Sequence, residues 1–576
     1  MGRTVRAVFT LLIVALASPA LAFTQIIVFG DSLSDDGNVA HRTRGTVGFS
    51  YPSVTFNYSS YRFTNDFNTN PGSRLYQGTW HEQLARTFLH LPVATNSLDR
   101  GTDYAFGGAT TKDGTQERTV INNPTPFGGG DIAITIDNIG QQVDDYLATH
   151  RPDASALYAI WGGGNDLFDD DSSANVTATA NRVGALIQRL ARAGARNFLV
   201  PNVPPLGAVP NSFGNPASVT TLDQASYSYR NQLYAVIAST RNTLAASGIS
   251  IRVYTLDVWL NTIRILAEPN KYGLVDVIHP AQGESVNPDQ FLYWDDIHPT
   301  TAGHYQIARE AARLISGQVP ALGRATNIST RGWVGTGDNV LIGGFIISGT
   351  QPKRVIVRAL GPSLSSFGVP GVLVDPNVTL FNSRGAPIAA NDNWQSSQAS
   401  AIAATGRAPG DIREAAIVLT LAPGAYTAVV SGQGGGIALV DLYDLDVAAN
   451  STFRNVSTRG FTGTGDNVLI GGLIIGSGEP PVVMLRALGP SLSHFGITQP
   501  LQDPTLELHN SNGAVIAYND DWASSASTAK KAALLEPGDT REPAIIVSLP
   551  AGNYTAVVRG RNGTSGVALV EAYRLQ

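Results

Sequence analysis

Apolar and polar positions along this chain follow two regimes, which change near Gly323. From Phe23 to about Val319, short apolar runs alternate with longer stretches in which apolar residues recur every three or four positions. The runs 25–29, 102–106, 156–161, 197–201 and 251–255 read as buried strands. The stretches 80–89, 138–149, 174–194, 221–246, 257–267 and 300–315 read as helices. This alternation predicts a parallel sheet with helices on both faces. Two insertions break it. Residues 41–78 are rich in Tyr, Phe, Asn and Ser, and 112–135 are rich in Gly and Pro. Both follow strands or loops expected to carry chemistry, where insertions shape substrate access. For the first, plain packing and a flexible lid remain open.

After Gly323 the helical pattern stops. Short β-rich runs such as Tyr426-Thr427-Ala428-Val429-Val430 are separated by Gly, Pro, Asn and Asp. This part repeats itself. Asn327 to Asp338 returns as Asn455 to Asp466, Arg358 to Ser365 as Arg486 to Ser493, and Tyr426 to Val430 as Tyr554 to Val558. A shift of 128 residues relates every pair, so the unit is a whole domain present twice. Each copy is expected to be a β-sandwich. The predicted organisation is a leader over 1–22, an α/β domain over 23–320, and β-repeats over 327–446 and 455–576, joined by Val447–Arg454.

Composition narrows the possibilities. A chain of 576 residues is too long for one core. The net charge of -6 and the lack of any basic stretch exclude a nucleic-acid partner. With no cysteine, disulfides, thiolate catalysis and cysteine metal sites are excluded. Arg3 and Arg6, the apolar run Ala7–Ala17 and Ala20-Leu21-Ala22 read as a secretory signal rather than a membrane anchor. The expected location is secreted or cell-surface, and export without cysteine suggests a bacterial setting.

The chemistry concentrates in four blocks. Gly30-Asp31-Ser32-Leu33 follows the first strand. Gly101 to Thr110 follows the second, with Gly107 and Gly108 adjacent. Gly162-Gly163-Gly164-Asn165-Asp166 follows the third. Trp294-Asp295-Asp296-Ile297-His298-Pro299-Thr300 precedes the last helix. A serine needs a base, a group that orients the base, and donors for an oxyanion. Each residue also has a plainer reading: Ser32 as a helix cap, and Asn165, Gly107 and Gly108 as turn formers. No Gly-x-Ser-x-Gly elbow is present.

Together the four blocks, in this order over about 23–318, resemble the GDSL family of SGNH hydrolases, in its bacterial lipase and phospholipase-like branch. The resemblance implies a flavodoxin-like α/β/α fold, a Ser-His-Asp triad and an oxyanion hole. Carried over by position, Ser32 matches the nucleophile, His298 the base and Asp295 its orienting acid. The oxyanion donors match Ser32, Gly108 (less surely Gly107) and Asn165. No metal or organic cofactor is implied for the reaction. Asp276-Val277-Ile278-His279-Pro280 repeats the Asp-x-x-His-Pro spacing. Asp295/His298 is preferred because a helical run follows it directly, and Asp296 is disfavoured by its spacing.

The expected function is therefore a secreted serine ester hydrolase, acting on a lipid, a simple ester or an acetylated glycan. The repeats are expected to hold a polymer or cell-surface ligand or to act as a spacer. Three other readings stay open: a carbohydrate O-acetylesterase, a surface adhesion protein with a secondary hydrolase domain, and an autotransporter. His81 and His304 are expected to be structural or surface residues. Asn391-Asp392-Asn393, Asn519-Asp520-Asp521, Asp338 and Asp466 read as turn formers, with calcium as the alternative. Trp394 and Trp522 read as core, with sugar stacking as the alternative.

Overall fold

Ile26–Gly30 lies at the centre of the first half, buried on both faces. Its side chains alternate. Ile27 and Phe29 enter one apolar core, and Ile26 and Val28 enter the opposite one. A strand buried on both sides has to be apolar throughout, and this one is. The computed structural model describes residues 23–65, 75–121, 131–318, 321–336 and 339–575. The predicted leader, Phe67 in the first insertion, the stretch 122–130 of the second, and Asp338 lie outside the described residues.

Ile26–Gly30 pairs in parallel with Leu157–Trp161, which pairs with Asn197–Pro201, which pairs with Arg252–Leu256. The predicted strand 102–106 is less regular than expected. It runs parallel along the free edge of Ile26–Gly30, with Tyr104 N donating to Val28 O at 2.8 Å and Val28 N to Thr102 O at 2.9 Å. Asp103 also pairs with Asn96, which holds this segment against a loop rather than a full ladder. Counting that edge, the strand order is 2-1-3-4-5, the flavodoxin-like arrangement. The order reverses between the first and third strands, and in open sheets the crevice at that point binds ligands.

The helices Ile139–Thr149, Ser173–Ala193 and Pro216–Ala246 cover one face. Trp80–Leu89 and Thr301–Ile315 cover the other. Both insertions hold more order than expected. The first opens on a helix, Asn38–Val47, and the second forms a hairpin of Thr115–Ile121 and Ile132–Asp137.

The second half forms one sheet system of sixteen strands among the described residues. Its two copies interlock. Ala325–Val334 pairs with Gly436–Asp444 of its own copy and with Leu469–Ile475 of the other. Ser451–Thr462 mirrors this, pairing with Gly566–Arg574 and with Leu341–Gly349. The 128-residue repeat thus becomes a pseudo-twofold axis, on which Thr330 Oγ1 and Thr458 Oγ1 share a hydrogen bond of 2.6 Å. The second copy also packs on the α/β half: Met484, Trp522 and Ala529 join Trp259, Ile263 and Tyr293 in one apolar cluster.

The Asn/Asp motifs of the repeats hold turns. Asn391 accepts from Ala416 N at 2.9 Å and donates to Asn393 O at 3.1 Å. Asn519 does the same with Ala544 and Asp521. Trp522 is buried and Trp394 half-buried against an apolar cluster.

Candidate active site

The first strand ends at Gly30, and the chain turns at Asp31–Ser32 at the carboxyl edge of the sheet. Ser34 N and Asp35 N both return to Asp31 O at 3.0 Å, and Leu33 N donates to Asp31 Oδ1 at 3.1 Å. This tight turn leaves the Ser32 side chain facing the loop before the last helix. There, His298 Nε2 lies 2.8 Å from Ser32 Oγ. His298 Nδ1 lies 2.7 Å from Asp295 Oδ2, and His298 N donates to Asp295 Oδ1 at 2.6 Å. The three residues form one hydrogen-bonded line although Ser32 and His298 are 266 positions apart. The i, i+3 loop fixes the ring by holding both its backbone and its side chain on one carboxylate. Burial by itself raises the Asp295 carboxyl. The His298 charge and the bonds from His298 and Ile297 outweigh it and hold that carboxyl below its ordinary value.

The structure brings together Ser32, His298 and Asp295, the residues singled out in the sequence, and adds what buttresses them. Tyr58 OH donates to Asp295 Oδ2 at 2.7 Å. Burial and the Asp295 charge push the Tyr58 hydroxyl well above its ordinary value, so it stays a donor. Phe63 stacks on the His298 ring, with centroids 5.1 Å apart. Tyr51 packs edge-on against both Tyr58 and Phe63. Thr64 Oγ1 and Asn65 Oδ1 tie the same segment to Pro299 O and Thr301 N, both at 2.9 Å. The described part of the aromatic insertion is therefore a wall behind the histidine. Its sequence signals were its aromatic content and the stretch Arg62-Phe63-Thr64-Asn65, which resembles the family.

The two glycines of the second block separate by geometry. Gly107 N donates to Asp35 Oδ2 at 2.9 Å and is already engaged. A Cβ on Gly107 would lie 2.6 Å from Phe63, so the wall behind His298 needs glycine there. Gly108 has φ +83, and among the described residues its N–H has no partner. The Gly108 carbonyl is fixed by Gln116 Nε2 and Arg118 Nε, both at 3.1 Å. Asn165 Nδ2 donates to Ala109 O at 3.0 Å, which ties its amide to the residue after Gly108.

Two buried carboxylates tie these loops together. Asp35 collects Gly37 N, Asn38 N, Val39 N and Gly107 N at 2.7–3.2 Å, joining the serine turn to the glycine loop. Asp166 accepts Thr111 N at 2.9 Å, Thr111 Oγ1 at 2.7 Å and Arg182 Nη2 at 2.9 Å. It thereby locks the end of the glycine loop beside Asn165. A Gly-Asn-Asp sequence signals a turn but does not reveal this second role.

The second Asp-x-x-His-Pro motif forms the same dyad without a serine. His279 Nδ1 lies 2.9 Å from Asp276 Oδ2, but the His279 side chain is 69% exposed and faces the second β-copy. His81 and His304 are both buried.

Beside Ser32 and Asn165 opens a narrow, mainly apolar cavity. Its walls include Trp161, Leu206, Val209, Val258, Ile265 and Leu292. Tyr51, Tyr58 and Phe63 are not among its lining residues.

A parallel sheet in the order 2-1-3-4-5, with a serine, a base and convergent N–H donors at its switch point, is the architecture of an SGNH-type hydrolase. Residues 26–311 match the family described as GDSL-like Lipase/Acylhydrolase, and the chain carries a domain of that family. Among similar proteins is an "Uncharacterized protein in trpE-trpG intergenic region" of Pseudomonas putida, 29% identical over 54% of this chain and 52% of that protein. The "Phosphatidylcholine-sterol acyltransferase" of Aeromonas hydrophila is 23% identical over 52% of this chain and 91% of that protein. "Lipase 1" of Photorhabdus luminescens is 24% identical over 55% of this chain and 54% of that protein. The chain thus spans about half the length of the Pseudomonas and Photorhabdus relatives.

Proposed function

We propose that this protein is an exported serine ester hydrolase that works through an acyl-enzyme on Ser32. The observation that carries this reading is the line Ser32 Oγ–His298 Nε2–Asp295 Oδ2, at 2.8 and 2.7 Å. His298 takes the Ser32 proton as Oγ attacks the ester carbonyl, then delivers it to the leaving alcohol. Asp295 fixes the tautomer and stabilises the imidazolium. The N–H groups of Ser32 and Gly108 and the Asn165 amide receive the oxyanion. Water, activated by His298, then releases the acid. The reaction draws on protein groups alone.

The apolar cavity supports an acyl chain longer than acetyl, since burying each methylene contributes about 0.8 kcal/mol. The Aeromonas relative's name speaks of acyl transfer, and the same acyl-enzyme can be discharged by an alcohol in place of water. The interlocked β-copies are proposed as the part that meets a polymer or surface. The test is hydrolysis of p-nitrophenyl acetate, butyrate, octanoate and palmitate by residues 23–576. Octanoate or palmitate is expected to give the highest kcat/KM, and Ser32→Ala to abolish turnover. Activity confined to acetate would turn the reading to a carbohydrate O-acetylesterase. A folded protein inert on every ester would leave a binding protein.

A further inference from the structure

Four residues beyond the serine, the Asp36 side chain is buried with both carboxyl oxygens lacking any hydrogen-bond donor. Its backbone N–H donates to Asp103 Oδ2 at 3.0 Å, and the two carboxyls abut. Asp103 is also fully buried, and its other oxygen accepts from Ala105 N at 3.0 Å. The third neighbour is His81, 0% exposed. Its Nε2 lies 2.7 Å from Ser34 O. A carbonyl only accepts, so Nε2 carries the hydrogen, and Nδ1 presents a bare lone pair. That Nδ1 has no partner either. One ligand atom from each of Asp36, His81 and Asp103 lies within 4.8 Å of the others.

The nearby cation is Arg62, whose charge reaches Asp36 and Asp103 without a hydrogen bond to either. Asp35 is satisfied by four backbone N–H groups. Glu82 is paired with Arg62 through two bonds of 2.7 Å, which engages the nearby guanidinium. What remains are three buried acceptor atoms without a donor, Asp36 Oδ1, Asp36 Oδ2 and His81 Nδ1. Leaving such groups buried and unpaired is costly, and more so when they are charged. Only a proton or a cation relieves that. A first-row divalent ion at about 2.1 Å from each ligand holds its ligand atoms about 3–4 Å apart, so these three, within 4.8 Å of one another, would draw in slightly around it. One imidazole nitrogen with two carboxylates is a donor set that suits Zn²⁺ or Mn²⁺.

We propose that Asp36, His81 and Asp103 form a structural site for a divalent transition metal, Zn²⁺ or Mn²⁺. The site pins three pieces of chain. Asp36 belongs to the serine turn, Asp103 begins the segment that leads to Gly107 and Gly108, and His81 sits on Trp80–Gln83. The ion takes no part in ester cleavage. It holds the oxyanion donors in register with Ser32.

Residues 23–576, purified without a metal-affinity step, are tested by elemental analysis and by thermal melts with a chelator and with added Zn²⁺ or Mn²⁺. The expected result is about one equivalent of metal that survives desalting, a lower Tm after chelation, and recovery on adding the metal back. Asp36→Asn should lose the bound metal and the chelator response. His279→Ala, which removes the exposed dyad, should keep both. The rival is a proton shared between the two carboxyls. Asn at position 36 would then still supply a donor toward Asp103. Wild type without bound metal and indifferent to the chelator, with Asp36→Asn as stable as wild type, overturns the proposal. The wild-type measurements decide this even if the variant fails to fold.

Discussion

Tyr58 OH donates to the same oxygen, Asp295 Oδ2, that accepts from His298 Nδ1, each at 2.7 Å. The carboxylate is therefore held from two sides, by the base it orients and by an aromatic insertion far away in sequence. A hydrogen bond to a charged group contributes about 1.5–3 kcal/mol. Tyr58→Phe keeps the ring packing and removes one of the bonds on Oδ2, loosening a carboxylate that His298 and Ile297 still hold. We expect kcat to fall roughly tenfold with KM little changed, because the bond acts on the base and not on the substrate. An unchanged kcat would make Tyr58 a packing residue only.

The two Asp-x-x-His dyads give a second prediction. They are alike internally, with Nδ1–Oδ2 distances of 2.7 and 2.9 Å, but only His298 reaches a serine. Ser32→Ala and His298→Ala should each lower turnover by about 10⁴-fold or more, since members of such a unit fail together. His279→Ala should leave kcat and KM intact. Loss of activity in His279→Ala would assign the base to the wrong loop.

The cavity predicts a chain-length switch. Ile265 on Val258–Ala267 forms part of its wall and is itself buried. Ile265→Phe fills space that an acyl chain would occupy, at an overpacking cost of about 1–3 kcal/mol in stability. The kcat/KM for octanoate should fall at least about tenfold relative to acetate, as expected for methylenes excluded from an apolar pocket. Circular dichroism separates this from misfolding. A uniform loss on all esters would mean the acyl chain lies elsewhere.

Much of this site was legible in the sequence, for identifiable reasons. Ser32, Asn165 and His298 were marked by the resemblance of their blocks to the family, and the apolar pattern placed those blocks at ends of strands or just before a helix. The Asp295–His298 contact is local, set by a spacing of three. Tyr58 was hidden because its partner Asp295 lies 237 residues away, and Phe63 and Asp166 stood in stretches that the sequence marked without revealing their contacts to His298 and to Thr111 and Arg182. The helix Asn38–Val47 was missed because its sequence, NVAHRTRGTV, is polar and buries only its first turns. The repeat was plain, but the strand exchange between its copies was not. Ala325–Val334 has two edges to satisfy, and nothing local says which copy supplies the second.

The Asp31 carboxyl lies immediately before the serine and is pushed up to about 7 by burial, against the Leu33 N–H and the His298 charge. Its ordinary value is 3.8. Between these values the native protein holds a proton that the unfolded chain has released. More protons bound in the native state mean that stability falls as pH rises through this window. Asp31→Asn mimics the protonated acid at every pH. Relative to wild type, its Tm should therefore rise between pH 4.5 and pH 7.5. A difference that stays constant across that range would mean the carboxyl titrates at its ordinary value in the native protein.

Strand exchange makes a prediction about truncation. Ser451–Thr462 completes the sheet of the first copy, and Leu469–Ile475 covers the far edge of Ala325–Val334. At the axis, a Cβ on Gly332 or Gly460 would meet Leu341 Cδ1 and Leu469 Cδ1 within 3.2 Å, so leucines from both copies close over both glycines. A chain ending at 446 would lose both partner strands and expose two long ladders. Unpaired edges of this kind template aggregation. Residues 23–446 should therefore be aggregated or lack a cooperative β-transition by size-exclusion chromatography and thermal melt, while 23–576 is monodisperse. Gly332→Leu in the full chain should destabilise both copies together rather than one. Two separate melting transitions for the β-half, or a soluble and cooperatively folded 23–446, would mean that each copy completes its own sheet.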